Sequence, residues 1–341
     1  MLKISKDKLS ALFEKIAAEK ELYLPIERSG RVDFFKWEQE ATVRLDALHT
    51  AKSPKDLFFP QSENLMAFKM EGKKIEVIDN RDETKDFVVF GVRACDARSF
   101  EVLDRVFLSE PVDTYYKNRR EKGTVVTLAC SKPEETCFCS VFGIDATAPE
   151  GDAVTYLTDE VLYFEAKTEK GKALEKELSG LFEKADEKAV EEQKKATAEI
   201  LKKLPLSDLS LDGFGSEDVM LEKFNSPEWA SLSEACLGCG TCTFVCPTCQ
   251  CYDIRDYDTG HGVQRYRCWD SCMYSDFTKM AHGNPRTTQL ERFRQRFMHK
   301  LVYYPANNDG LYSCVGCGRC VAKCPISMNI AKVIKVLGGK K

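Results

Sequence analysis

The sequence predicts an α+β protein: an N-terminal α/β domain over residues 1–204, then a mainly α-helical, cysteine-rich domain over residues 226–341. Three observations carry this. Apolar strand-like runs bracket a helical segment between residues 87 and 129, the order of an α/β sheet. Turn-rich residues at 205–216 begin a linker that extends to 225. Beyond Ser226 the composition changes, because of 16 Cys four lie in residues 1–235 and twelve in 236–341.

The elements follow in order. Leu9, Leu12, Phe13 and Ile16 recur at helical spacing and predict an amphipathic first helix. Pro25, Gly30, Pro54 and Pro60 make the next segment read as irregular. Residues 65–78 alternate apolar and polar around Glu71-Gly72, which predicts a hairpin. Residues 87–92 (FVVFGV) read as a buried strand, and Phe100, Leu103 and Phe107 share a helical face after it. Further strands are expected at Thr124–Ala129, Ala153–Leu157 and Val161–Glu165. Residues 166–204, dense in Lys and Glu, read as a solvated helix pair supported by i,i+4 pairs.

Composition excludes several classes. With 50 basic and 54 acidic side chains the net charge is −4, unlike a phosphate-backbone binder, so no nucleic-acid partner is expected. A hydrophobic content of 43% is too high for a disordered chain. Met1–Lys20 has charges every few residues and no uninterrupted apolar core, so it does not read as a signal peptide. The longest apolar runs are too short to span a bilayer. A cytoplasmic location is therefore expected, where thiols stay reduced and available to metal.

The cysteines repeat. Cys236-Leu-Gly-Cys239-Gly-Thr-Cys242-Thr-Phe-Val-Cys246-Pro247 returns as Cys314-Val-Gly-Cys317-Gly-Arg-Cys320-Val-Ala-Lys-Cys324-Pro325. Both copies are C-x₂-C-x₂-C-x₃-C-P, the bacterial ferredoxin run for a 4Fe–4S cluster. Structural zinc prefers separated pairs and gives the evenly spaced third Cys no purpose. The second domain thus reads as a helical ferredoxin-like domain with two 4Fe–4S clusters. In two-cluster ferredoxins the fourth Cys ligates the other cluster. One cluster is accordingly expected on Cys236, Cys239, Cys242 and Cys324, the other on Cys314, Cys317, Cys320 and Cys246. Helices are expected to fill the long segment between Cys246 and Cys314.

Eight cysteines remain. Cys95 and Cys130 each follow an expected strand; if those strands are parallel neighbours, both lie at one sheet edge, where α/β sheets bind ligands. Cys137-Phe138-Cys139 could reach the same edge, making a third 4Fe–4S site, against the alternative of buried hydrophobic thiols. Cys249, Cys251, Cys268 and Cys272 read either as a fourth site or as packing around the first cluster. Residues 261–300 carry eight basic side chains against three acidic ones (Arg265, Arg267, Lys279, Arg286, Arg292, Arg294, Arg296 and Lys300 against Asp270, Asp276 and Glu291). Stabilising a cluster's negative charge and docking an acidic partner are the two uses considered for them.

The runs CPTCQCYDIRD (246–256), RYRCWDSCMYSDFTKMA (265–281), NPRTTQLERFRQRFMHK (284–300) and CVGCGRC (314–320) resemble one family. It is the group of 4Fe–4S electron-transfer subunits that includes those of anaerobic sulfite reductases and the beta subunits of sulfhydrogenases. FGVRACDARSFEVLDRVF (90–107) and CFCSVFG (137–143) resemble it too. The resemblance implies cluster ligands at Cys95, Cys130, Cys137 and Cys139. Cys249, Cys251 and Cys272 also match, whereas Cys268 departs from the pattern. It further implies an electron-transfer component of a multi-subunit oxidoreductase. Such a component works between two partners: a diaphorase-type subunit, which binds FAD and NAD(P)H, and a catalytic reductase or hydrogenase subunit.

The residues themselves agree with a carrier. Gly213-Phe-Gly215 lacks the third glycine of a nucleotide loop, so flavin and NAD(P)H are not expected on this chain. No acid/base constellation stands out, and His49, His261, His282 and His299 are scattered. The competing class is a self-contained iron–sulfur reductase, whose signature would be a cluster with an open iron.

Overall fold

The computed structural model describes residues 1–79, 81 and 84–338. Its strands in chain order begin with β1 (Leu2–Ser5), β2 (Glu21–Arg28), β3 (Arg31–Lys36) and β4 (Ser62–Glu71). There follow β5 (Lys74–Asp79), β6 (Phe87–Val92), β7 (Gly123–Leu128) and β8 (Ala153–Leu157). The last are β9 (Val161–Ala166), β10 (Glu183–Lys184), β11 (Tyr252–Asp258) and β12 (Gly262–Trp269). Eight of them form one mixed sheet in the order β10-β1-β9-β8-β7-β6-β2-β3. Its centre, β2-β6-β7-β8, is parallel, and the flanking pairs are antiparallel.

β6 shows why this sheet is two-sided. All six of its residues are buried. Successive side chains alternate faces, so Val88 and Phe90 join the core under the helix Leu9–Ala17, with Leu12, Phe13 and Ile16. Phe87 and Val89 join the opposite core, with Phe58, Phe100, Leu103 and Tyr116. The helix Ala94–Phe107 supplies Phe100, Leu103 and Phe107 to that second face.

β2 and β3 stand in the segment that reads as irregular. Pro25 lies inside β2, but β2 pairs with β6 only through Glu21–Tyr23. The proline therefore falls beyond the parallel ladder, where its missing N–H costs no bond to β6.

The C-terminal half is mixed rather than mainly helical. Between Cys246 and Cys314 the expected run of helices is replaced at its start by the hairpin β11–β12. β12 pairs with β4, giving an antiparallel sheet β11-β12-β4-β5 built from both halves of the sequence. Most of β11 is exposed, and its charged residues carry no core-forming apolar run; its strand state comes from pairing. Trp269 closes β12 inside the N-terminal core, stacked on Phe59, with its indole N–H donating to the Phe59 carbonyl at 3.0 Å.

Helices do form the remainder. Gln289–Met298 starts at a reciprocal capping box between Thr288 and Glu291, and continues as one π-helical stretch, His299–Tyr303. Phe293, Phe297, Leu301 and Val302 pack it against Trp229, Leu232 and the helix Ile330–Leu337. Residues 205–225 are packed here as well: Leu209 is buried in this core, and Phe214, Met220 and Phe224 lean on it.

One buried ion pair ties the halves together. Arg319 donates to both carboxylate oxygens of Asp96, at 2.6 and 2.7 Å, and to the Thr50 carbonyl at 3.1 Å. Both partners are almost wholly buried, 2% and 1% exposed. Removing one member strands the other charge without water. Asp96→Asn should lower the unfolding free energy by about 3–5 kcal/mol, read from a denaturation midpoint. The double variant Asp96→Leu/Arg319→Met should recover much of that loss.

Candidate iron–sulfur centres

The two cysteine loops take the same backbone shape. Cys236–Cys242 leads into the short helix Thr241–Phe244, and Cys314–Cys320 into Arg319–Lys323; in each, the glycine before the helix is left-handed. The two helices pack on one another. Each loop thus presents three cysteines around one turn.

Their surroundings differ. Cys239 is exposed and Leu237 is 67% exposed, so the first loop meets solvent. The second loop is interior. Cys246, Cys314, Cys317 and Cys320 line one small cavity, together with Arg296, Lys300, Phe138 and Ile330. Cys246 therefore lies with the second loop's cysteines, although its own repeat begins at Cys236. Cys324 has its thiol 3.6 Å from the Met328 carbonyl oxygen.

The N-terminal cysteines gather beside this cavity. β6 and β7 are parallel neighbours, so Cys95 and Cys130 emerge at the same sheet edge. Cys95, Cys130 and Cys139 pack in one cluster with Val315 and Cys317 of the second loop. Leu201, from the Lys/Glu-rich stretch, covers the same cluster, so that helix is more than a solvated face. Burial pushes the thiols of Cys137 and Cys139 up to about 12, and Cys314 likewise to about 12. Such thiols stay protonated unless a metal takes the proton's place.

The contact between these regions is backbone to backbone. Phe138 N–H donates to the Gly316 carbonyl at 2.9 Å. A Cβ on Gly316 would stand 2.4 Å from the Phe138 oxygen, and one on Gly318 would stand 2.4 Å from the Thr136 oxygen. Only glycine at 316 and 318 lets the loop lie this close, and both also have positive φ.

Three buried cations face the thiols. Lys300 donates from Nζ to Thr248 Oγ1 at 2.8 Å and to the Ser313 carbonyl at 2.9 Å. Arg296 donates to the Cys242 carbonyl at 2.7 Å and reaches Cys249 Sγ at 3.5 Å. Lys55 Nζ donates to the Cys249 carbonyl at 2.8 Å and sits 3.6 Å over the Trp269 ring. All three are at most 3% exposed. Among the described residues none of them forms an ion pair with a carboxylate; cysteine sulfurs lie beside all three, and Asp56 also lies near Lys55. Burial pushes Lys55 down to about 8. Burial also opposes the charge of Lys300, yet Cys246 and Cys249 hold it above its ordinary value. Uncompensated buried charge is costly, so this donor set fits a resident anion with thiolate ligands.

Two other basic residues of 261–300 are neutralised locally. Arg267 donates from Nε to Glu63 at 2.8 Å and also pairs with Asp113. Arg265 pairs with Asp256 at 2.7 Å. Of the histidines, His299 is held neutral, pushed down to about 4 by burial and neighbouring cations. His49 lies 3.7 Å from Cys137 Sγ and 3.0 Å from Glu134.

Lys55, His49 and Asp96 were not singled out by sequence reasoning. Lys55 meets Cys249 across 194 residues, and no local pattern announces that. Arg319 did leave a trace: it replaces Thr241 of the first repeat and is the one charged residue between the first three cysteines of either loop.

Residues 235–328 match the family described as 4Fe-4S dicluster domain. The whole chain is similar to sulfhydrogenase 2 subunit beta of Pyrococcus furiosus, with 31% identity over 340 residues, 98% of this chain and 97% of the relative. No solved structure matches the chain. The twin loops, the dicluster match and the end-to-end similarity agree, and the chain belongs to the sulfhydrogenase beta subunit family of iron–sulfur proteins.

Proposed function

We propose that this chain is an electron-relay subunit carrying three 4Fe–4S clusters. Cys246, Cys314, Cys317 and Cys320 hold one. Cys236, Cys239, Cys242 and Cys324 hold a second. Cys95, Cys130, Cys137 and Cys139 hold the third. The observation that carries this reading is the contact of residues 136–139 with residues 314–318, which sets the N-terminal cysteines directly against the second loop.

Each cluster supplies one-electron redox chemistry when bound. The protein's contribution is placement and charge. Lys300 and Arg296 set positive charge beside the interior cavity, which favours the reduced cluster and raises its potential. The tight backbone packing excludes water there. The first loop is the solvent-facing terminus, and its exposed Cys239 marks where a partner can approach closest.

The relative is a hydrogenase subunit by name. On that basis this chain stands between two partners. One is a diaphorase-type subunit, which binds flavin and NAD(P)H. The other is a catalytic hydrogenase or sulfite-reductase-like subunit. Among the described residues no helix is long and apolar enough to cross a membrane. Free cysteines throughout the chain suit a reducing cytoplasm.

Three outcomes test the reading. Replacing Cys137 and Cys139 by Ser should remove about four iron and four sulfide per chain from the anaerobically purified protein; unchanged content rejects the N-terminal site. Cys324→Ser should abolish the first-loop signal in EPR spectra and spare that of Cys314–Cys320. Lys300→Met should lower the midpoint potential of the interior cluster in a redox titration, with Lys300→Arg restoring it. A unit charge worth about 1–3 kcal/mol shifts a one-electron potential by roughly 40–130 mV.

A further inference from the structure

Cys249, Cys251, Cys268 and Cys272 have no part in that relay, and the structure divides them. Cys268 sits on β12 opposite Asp253, partly exposed, with Arg255 and Asp270 as its charged neighbours. It stands apart from the other thiols. The remaining three come together. Cys249 and Cys251 leave the turn after Pro247, and Cys272 lies in the loop after β12, anchored by the Asp270 N–H donating to the Cys251 carbonyl at 3.0 Å. The Cys251 and Cys272 thiols interact directly, and the Cys272 backbone N–H also serves the Cys251 sulfur. Cys249 lies near Cys272 as well, while its own thiol contacts that of Cys246, at the rim of the interior cavity.

A charged group is aimed at this trio. Arg296, 2% exposed, lies 3.5 Å from Cys249 Sγ through one terminal nitrogen. Its Nε is buried without a hydrogen-bond partner. Both Cys251 and Cys272 feel its charge. Lys55 holds the Cys249 carbonyl from the other side. A buried guanidinium with an unused donor, packed against three thiols and no carboxylate, is a site built for an anion with sulfur ligands.

We propose that Cys249, Cys251 and Cys272 hold an additional iron–sulfur cluster, in which one iron has no cysteine ligand. Three protein sulfurs leave one corner of a cube for a small exogenous donor. This centre adjoins the interior cluster through the contact of Cys249 with Cys246 and does not depend on the N-terminal one.

The test uses the full-length chain purified without oxygen. The triple variant Cys249→Ser/Cys251→Ser/Cys272→Ser should lose about four iron and the matching sulfide, while the EPR signals of the ferredoxin-type clusters persist. Cys272→Ala alone, the milder change, should lose the same signal. Wild-type protein gives an independent reading that needs no variant: added cyanide should shift the Mössbauer signal of a single iron. Unchanged iron in the variants together with no cyanide effect overturns the proposal. So does zinc in the place of that iron, or a Cys251–Cys272 disulfide found in the isolated chain. Loss of iron from the Cys137/Cys139 variant with these signals intact would show that the two sites stand or fall separately.

Discussion

Phe138 and Gly316 share one backbone hydrogen bond, and the placement of the N-terminal cysteines against the second loop follows from the approach it fixes. Residues 136–139 and 314–318 approach so closely that main-chain atoms of Phe138 and Thr136 lie against Gly316 and Gly318. That approach brings the carboxyl edge of the large sheet, with Cys95 and Cys130, against the second ferredoxin-type loop. Arg319 and Asp96 lock it from one side. The loop cannot shift outward without stranding a buried guanidinium, and cannot shift inward without backbone overlap. Position is thus held by two constraints of opposite sense, a geometry that suits fixed spacing between redox groups.

Charge divides five of the buried cations into two kinds. Arg319 and Arg267 have carboxylates, Asp96 for one and Glu63 with Asp113 for the other. They join segments far apart in sequence and are electrically closed. Lys55, Arg296 and Lys300 have none among the described residues, and all three turn toward Cys242, Cys246 or Cys249. Arg296 and Lys300 lie four residues apart, on either side of the junction between α-helix and π-helix. π-turns recur at functional sites because they re-aim one side chain within an otherwise regular helix. Here the turn begins between the two residues that line the interior cavity.

Much of this was legible in the sequence. The repeat identified both loops by spacing alone, since ligand geometry demands it. The strands at 87–92, 124–129 and 153–157 are marked by unbroken apolar runs, because a parallel sheet is buried on both faces. β11 and β12 were not legible: most of β11 faces solvent and β12 buries only Arg267 and Trp269, and what makes them strands is β4, nearly 200 residues earlier. β2 was masked by Pro25, whose local penalty vanishes once the β6 ladder ends at Tyr23. The contacts of Lys55 and His49 with cysteines are equally non-local, as is that of Asp96 with Arg319, and only the folded chain makes them.

The division of exposure between the loops has a physical consequence of its own. A cluster buried with unpaired cations is favoured in its reduced form, whereas one at the surface is screened by water and ions. Cys239 is open to solvent, while Cys317 and the N-terminal cysteines are buried. Two loops of identical spacing therefore provide unequal environments, and the inequality comes from what packs on them. Gly316 and Gly318 are covered by the backbone of Phe138 and Thr136; Gly238 and Gly240 meet only the side chains of Gln289 and Tyr274. Under the proposed relay, duplicated ligand spacing would supply the carriers, and the asymmetric cover would give the pair a direction in potential that the repeat alone cannot encode.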